Sequence, residues 1–396
     1  MLRHNVFYMK LKGFIPCKRW LSLMLAIMLL CMLQSPSLAA PQGPEVNAKS
    51  AVLIEKSTGR VLYEHNSHQP LAPASVTKVM TLLLVGDAIN KGKITYDDIV
   101  TTSEHAASLG GSQIYLEPGE KMSVHDMLKA VVVSSANDAS VALAEHIAGS
   151  ETAFVSLMNQ KAEQLGMKDT NFVNAHGLDA EGHVTSAYDI ALMSRALLLE
   201  FPDIKKYTTI WMDSVRNGDF QLANTNKLIR TYDGSTGLKT GSTSGAGYCL
   251  SATAERDGME LICAIMGSPT SKDRFAAGKS LLDYGFANYA LIEVFPKDVL
   301  LPIPVKLGEY PEVQPIIAGD NRLIVDKGIE KDLEQKVELV DTVEAPVLTD
   351  QKLGELVVYS GDEEIARIPI LASNEVKRLT FGGLYGKLFK HLTMSR

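Results

Sequence analysis

Residues 76–89, VTKVMTLLLVGDAI, are apolar on nearly every side of a 3.6-residue helix. A helix of that kind is stable only when other elements surround it, so it has to lie at the centre of a layered core. Lys78 is the single cation in the run. Taking an ammonium group out of water is costly, so a lysine held there is neutral or has partners. Any fold for this chain must bury that helix and account for that lysine.

Ser75 lies three residues before Lys78, and positions i and i+3 share a helix face. Pro73 and Ala74 precede the serine. That order places it in the first turn, where backbone N–H groups lack helical partners and negative charge is favoured. A serine hydroxyl becomes a useful nucleophile when a base takes its proton. Lysine can be that base if burial and a second cation depress its pKa. The chain offers Lys239 in a Lys-Thr-Gly triplet (239–241) beside a predicted strand, and Ser135-Ala136-Asn137 at the break between two predicted helices. Ser-x-x-Lys and Ser-x-Asn each arise about once by chance in a chain of this length, and Lys-Thr-Gly about ten times less often. Each occurs once here, in the order Ser-x-x-Lys, Ser-x-Asn, Lys-Thr-Gly, and the joint pattern is specific.

These three elements resemble the penicillin-recognising serine enzymes, the group of the penicillin-binding proteins and serine β-lactamases. PASVTKVMTLLLV, GGSQIYLEPGE, SSANDASVALAEHIAG, HGLDAEGH and KTGSTSGAGYCL extend the similarity to the low-molecular-mass D-alanyl-D-alanine carboxypeptidases, and the last of them to sporulation-associated members. The resemblance implies an α+β fold, an antiparallel sheet flanked by helices with a mostly helical subdomain. It also implies a site. Ser75 would attack the carbonyl between the last two D-alanines of a peptidoglycan stem peptide, and Lys78 would accept its proton. Ser135 would relay a proton to the leaving D-alanine, and Asn137 would hold Lys78 and the substrate amide. Lys239 would be the second cation, Thr240 and Arg274 would hold the terminal carboxylate, and Gly241 would leave room for substrate along the strand edge. The backbone N–H groups of Ser75 and Ser242 would form the oxyanion hole. β-Lactam antibiotics are the implied inhibitors, and neither a metal nor a cofactor is implied. His176 and His183 are expected in loop structure, because a lysine base needs neither.

Two other readings share these motifs, a D,D-endopeptidase of the same family and a membrane-tethered penicillin-binding scaffold without turnover. A class A β-lactamase would carry Glu-x-x-Leu-Asn between Asn137 and Lys239, and no such run occurs there. Loss of any one of Ser75, Lys78, Ser135, Asn137 or Lys239 would suffice for a scaffold, and all five are present.

The rest of the chain divides by texture. Residues 46–292 hold the motifs and are expected to form the catalytic domain. Residues 98–117 read as irregular. Over 295–372, short alternating runs separated by Pro and Gly predict a small all-β domain. In 374–396, Phe381, Leu384, Tyr385, Leu388, Phe389 and Leu392 follow a helical period beside Lys377, Arg378, Lys387, Lys390 and Arg396. That basic amphipathic helix suits a membrane surface rich in anionic lipid.

Residues 1–39 contain five basic residues, no acidic ones, the apolar run LSLMLAIMLLCML and then small residues, the order of a secretory signal peptide with cleavage expected after Ala39. Without them the basic count falls from 39 to 34 against 46 acidic residues, a net charge of −12. An acidic body argues against nucleic acid as partner. The expected location is the outer face of the bacterial cytoplasmic membrane, in the periplasm or cell wall space. Cys249 and Cys263 fall on the two arms of a predicted hairpin around ERDG, as a disulfide or as two buried thiols depending on a one-residue register.

Overall fold

The computed structural model describes residues 43–394 apart from 318 and 320. The expected signal segment lies outside the described residues. The central sheet is built from β1 (Ser50–Glu55), β2 (Val61–His65), β3 (Ser235–Thr243), β4 (Gly247–Arg256) and β5 (Met259–Ser268). It is antiparallel throughout, in the order β2-β1-β5-β4-β3. The helices that matter for the site are α1 (Lys78–Asn90), α2 (Asn137–Ala148), α3 (Glu151–Gln164), α4 (Ala187–Glu200) and α5 (Ser271–Asn288).

Side chains alternate across a strand, so each strand feeds two cores. Val52, Ile54, Ile262, Ala264 and Met266 pack with α1 and α4 on one face. Ala51, Leu53, Leu261, Cys263 and Ile265 pack with Leu281, Leu282 and Phe286 of α5 on the other. Helix α1 is buried from Lys78 to Gly86, as its apolar circumference requires. Its first turn differs from expectation: Ala74–Thr77 is a 3-10 turn, and the α-helix starts at Lys78.

The predicted break before Asn137 is a sharp one. Helix Val124–Lys129 widens into a π-turn over Ala130–Ser134, Ser135 takes a left-handed conformation (φ 64°), and α2 begins two residues later. Within the segment read as irregular, Ile99–Thr101 pairs with Lys121–Ser123 and Glu104–Ala107 forms one helical turn. Elements of three or four residues are too short to show a period.

The change to an all-β architecture comes directly after α5. Tyr289–Glu293 pairs with Arg322–Asp326, and Tyr289 and Ile324 pack in the core formed by the central sheet and α5. Pro315–Ile317, Glu363–Ala372, Lys352–Ser360 and Leu333–Leu339 make a four-stranded sheet in that order. Ile303, Val305, Val347 and Val376 share a small core. Val376 bridges Val347 and Arg378 bridges Gly308, which carries the β-rich part past 372. Single bridges leave no alternation for a sequence to display.

Cys249 and Cys263 are both free and buried. Ala252 pairs with Cys263, and Cys249 lies an odd number of residues from Ala252, so the two thiols face opposite sides of the sheet. That register leaves two buried thiols and excludes the disulfide. The C-terminal helix spans Phe381–Met394, with Phe381, Tyr385 and Phe389 largely exposed. Among the described residues, no helix is long and apolar enough to cross a membrane.

Candidate active site

Lys78 is completely buried, and its amine meets three oxygens. Nζ lies 2.6 Å from Asn137 Oδ1, 2.6 Å from the His176 carbonyl oxygen and 3.1 Å from Ser75 Oγ. Asn137 Nδ2 donates to the Gly110 carbonyl (2.7 Å), which fixes Oδ1 as the face turned to the lysine. Asn137 Oδ1 and the His176 carbonyl can only accept. A neutral amine has two N–H bonds and one lone pair. With both N–H bonds used on those two acceptors, the lone pair is left for the Ser75 hydroxyl.

The electrostatics favour the neutral form. Burial pushes the Lys78 pKa well below the ordinary lysine value, the Lys239 charge lowers it further, and Asp138 acts in the opposite sense. Lys239 is 1 % exposed and is itself pushed down to about 7, first by burial and then by Arg274. Its Nζ donates to the Thr240 carbonyl (3.0 Å). Lys239 thus lies close enough for its charge to act on Lys78.

Strand β3 is an edge strand, and it runs past the turn that carries Ser75. A Cβ built on Gly241 would lie 2.8 Å from the Ser75 nitrogen and 3.0 Å from the Pro73 carbonyl oxygen. The glycine is needed for close approach of two stretches of the protein's own backbone, and that approach sets Ser75 N–H beside the strand. Ser242, the next residue, is exposed. Thr240 Oγ1 is 2.6 Å from Thr225 Oγ1. Ser135 is buried, yet its Oγ has no hydrogen-bond partner among the described residues. Arg274 donates to the carbonyls of Gly241 (2.9 Å) and Cys249 (3.2 Å) and lies against the rings of Tyr248 and Phe275. These bonds tie β3 to β4, and Nε is left without a partner among the described residues.

Several functional groups escaped the sequence reading. The His176 contribution is its main-chain oxygen, which no side-chain argument could reveal. Gly177 has φ +91°, and a Cβ there would fall 2.0 Å from the Ala74 carbonyl oxygen. The His-Gly pair at 176–177 was the available clue, since a glycine beside a buried loop residue points to a tight approach. Asp179 takes hydrogen bonds from Thr243 Oγ1 (2.7 Å) and Gly245 N–H (3.3 Å), holding the end of β3. Asp138 is buried and accepts from the backbone N–H groups of Ile114 and Leu116, fixing the loop that also supplies the Gly110 carbonyl. Thr225 joins β3 to the π-turn, its N–H donating to the Val133 carbonyl.

Both loop histidines are neutral scaffolding. Burial lowers each to about 4. His183 accepts from Val173 N–H on Nδ1 (2.9 Å) and lies 2.8 Å from Thr77 Oγ1 through Nε2. Thr77 in turn donates to the Ala74 carbonyl (2.8 Å), so the chain of bonds ends on the nucleophile turn.

Known proteins are similar to this chain in sequence and fold. The model of the peptidase S11 family, D-alanyl-D-alanine carboxypeptidase, matches residues 37–270. The model of the penicillin-binding protein 5 C-terminal domain matches residues 289–378. D-alanyl-D-alanine carboxypeptidase DacF of Bacillus subtilis (strain 168) is 44% identical over 376 residues, covering 92% of this chain and 96% of the relative. Penicillin-binding protein 5 from Haemophilus influenzae superposes with a TM-score of 0.78 at 33% identity, over 85% of this chain and 99% of that one. Penicillin-binding protein D2 from Listeria monocytogenes, solved in an ampicillin-bound form, gives a TM-score of 0.57 at 32% identity, over 61% of this chain and 100% of that one. By the family match and the identity over nearly its whole length, the chain belongs to the peptidase S11 family of D-alanyl-D-alanine carboxypeptidases.

Proposed function

We infer that this chain is a serine-type D-alanyl-D-alanine carboxypeptidase that removes the terminal D-alanine of peptidoglycan stem pentapeptides through an acyl-enzyme on Ser75. The observation that carries the reading is the Lys78 amine, held by two obligate acceptors with its third direction on Ser75 Oγ. Ser75 Oγ bonds to the carbonyl carbon between the two D-alanines as its proton passes to Lys78 Nζ. The oxyanion is received by the N–H groups of Ser75 and Ser242. Lys78 returns the proton by way of Ser135 Oγ to the departing D-alanine nitrogen, and the C–N bond breaks. Water then hydrolyses the ester and regenerates Ser75. Asn137 keeps Lys78 aligned and offers its second Nδ2 hydrogen to the substrate amide. Lys239 and Thr240 take the terminal carboxylate, while Arg274 holds the β3 edge at the right height through Gly241. A β-lactam occupies the same place and acylates the same hydroxyl.

Incubation with a pentapeptide ending in D-Ala-D-Ala and assay of free D-alanine tests this directly. The wild type is expected to release D-alanine and to carry a fluorescent penicillin label on the Ser75 peptide. Ser75→Ala is expected to lose the label, with release falling to the uncatalysed background. A wild type that labels at Ser75 but releases nothing is a scaffold, and one that cuts only cross-linked dimers is an endopeptidase. A label mapped to another residue would overturn the site.

Export on a signal peptide over residues 1–39 and peripheral attachment by the C-terminal helix complete the reading, with a catalytic domain from about 46 to the end of α5 and a β-rich domain from 289 to about 378. Basic residues beside exposed aromatics favour an anionic lipid surface. Deletion of residues 380–396, which keeps the buried Val376, is expected to release an active enzyme from membranes. Continued sedimentation of the truncated, signal-free protein with membranes would reject the anchor.

A further inference from the structure

The His176 carbonyl takes one of the two N–H bonds of Lys78, but it belongs to a loop, where no helix or strand holds it. Three elements pin the residue before it. On the carbonyl side, Ala175 O accepts from Thr81 Oγ1 of α1 (2.7 Å) and from Ser140 Oγ of α2 (2.8 Å). On the amide side, Ala175 N–H donates to Glu151 Oε1 (2.9 Å), the first residue of α3. The His176 ring accepts from Leu178 N–H on Nδ1 (3.1 Å), so the proton is on Nε2, which faces the same Glu151 oxygen at 3.6 Å. The other carboxylate oxygen, Oε2, lies 2.7 Å from Nε2 of the half-exposed His105.

Glu151 is thus turned inward. Its side chain is 14% exposed, although the first turn of a helix would ordinarily leave a carboxylate in water. It lies in the first turn of α3, whose N-cap is Ser150. An ionised oxygen on Ala175 N–H makes a charge-assisted bond, stronger than a neutral one.

We propose that Glu151 is a positioning residue for the general base: by holding Ala175 and His176 it fixes the carbonyl that aims the Lys78 amine at Ser75. The inference rests on Lys78 being that base. Glu151 touches no reacting atom. Its effect is geometric, and misplacing a catalytic group by about 1 Å can slow a reaction about a hundredfold.

The test compares Glu151→Ala, Glu151→Gln and Glu151→Asp with wild type and Lys78→Met in the otherwise unchanged enzyme. The readouts are the second-order rate of acylation by a fluorescent penicillin, kcat and KM for the pentapeptide, and the melting temperature. Glu151→Ala is expected to slow acylation and lower kcat by about ten- to a hundredfold, with KM within about twofold. Glu151→Gln is expected to stay within about threefold of wild type, because its amide oxygen still accepts from Ala175 and its amino group can donate to His105. Glu151→Asp keeps the charge but is one methylene shorter, so it should behave like Glu151→Ala. It carries the test if the alanine variant does not fold. Wild-type acylation by folded Glu151→Ala or Glu151→Asp would overturn the proposal. So would a Gln variant as slow as Ala, which would point to charge instead of position, or a change confined to KM. Lys78→Met separates the two readings. If it acylates normally, the lysine-base reading fails and takes this proposal with it. If it is inactive while the Glu151 variants are normal, only the Glu151 proposal falls.

Discussion

Lys78→Met is expected to lower kcat/KM for D-alanine release by about 10²–10⁴, the usual contribution of a positioned general base. Methionine has nearly the volume of lysine and no charge, so the buried site should stay packed. The loss is therefore expected in acylation, measurable as slow penicillin labelling by a protein with a near-normal melting temperature. The pH dependence adds a second check. Lys78 must be neutral to act, so the rate rises as pH climbs through its lowered pKa. Lys239 must be charged to hold the substrate carboxylate, so in the free enzyme the rate falls above about 7, its pKa there. The two limbs belong to a coupled pair of amines. Lys239→Gln removes the cation that helps depress Lys78. The Lys78 pKa then rises, and the acid limb should move to higher pH by about one unit or more. An acid limb that stays in place would show that Lys239 does not tune the base.

Gly177→Ala should also be damaging, for a different reason. The added methyl would lie 2.0 Å from the Ala74 carbonyl oxygen and 2.9 Å from Thr77 Oγ1, at a φ of +91°. Backbone strain of this kind costs about 1–3 kcal/mol, and relief of the overlap by shifting neighbours costs about as much again. Both segments that must shift are functional. Ala74 precedes Ser75, and Gly177 follows the carbonyl that holds Lys78. Expected results are a melting temperature lower by several degrees and penicillin acylation slower by at least about tenfold. A variant that melts and acylates like wild type would show that the turn can absorb a side chain. Gly92, which has φ +66° with nothing within 4 Å of its Cβ position, makes the natural control. Alanine there meets the strain without the collision.

Much of the site was readable because its chemistry is carried by side chains in local patterns. Ser75 and Lys78 share a helix face, and an apolar helix around a single cation can be recognised from residue types alone. Lys239, Thr240 and Gly241 were readable in the same way. What Gly241 does was not. It lets β3 approach the Ser75 turn, a fact about two segments more than 160 residues apart. Arg274 was expected to help hold the substrate carboxylate, and the structure adds that its Nη1 also donates to two strand carbonyls. A side chain's identity fixes its charge but not which acceptors lie within its reach. The pairing near 292 was hidden for a similar reason, because Tyr289–Glu293 finds its partner strand about 30 residues later, at 322–326, while Tyr289 and Ile324 pack in the core beside α5.

By itself, the sequence determined that a lysine would be buried beside a serine, that three motifs would mark the candidate site, and that an all-β part and a basic amphipathic helix would follow the region holding them. Those features depend on residue type and short-range period, which folding does not alter. Only the tertiary structure decided that Lys78 would give its hydrogens to Asn137 and a main-chain oxygen and its lone pair to Ser75. It also decided that the two cysteines would face opposite cores, and that Glu151 would turn inward to hold the loop. Each of these depends on register and on backbone groups. Every residue carries the same backbone groups, so no pattern of side chains can announce them.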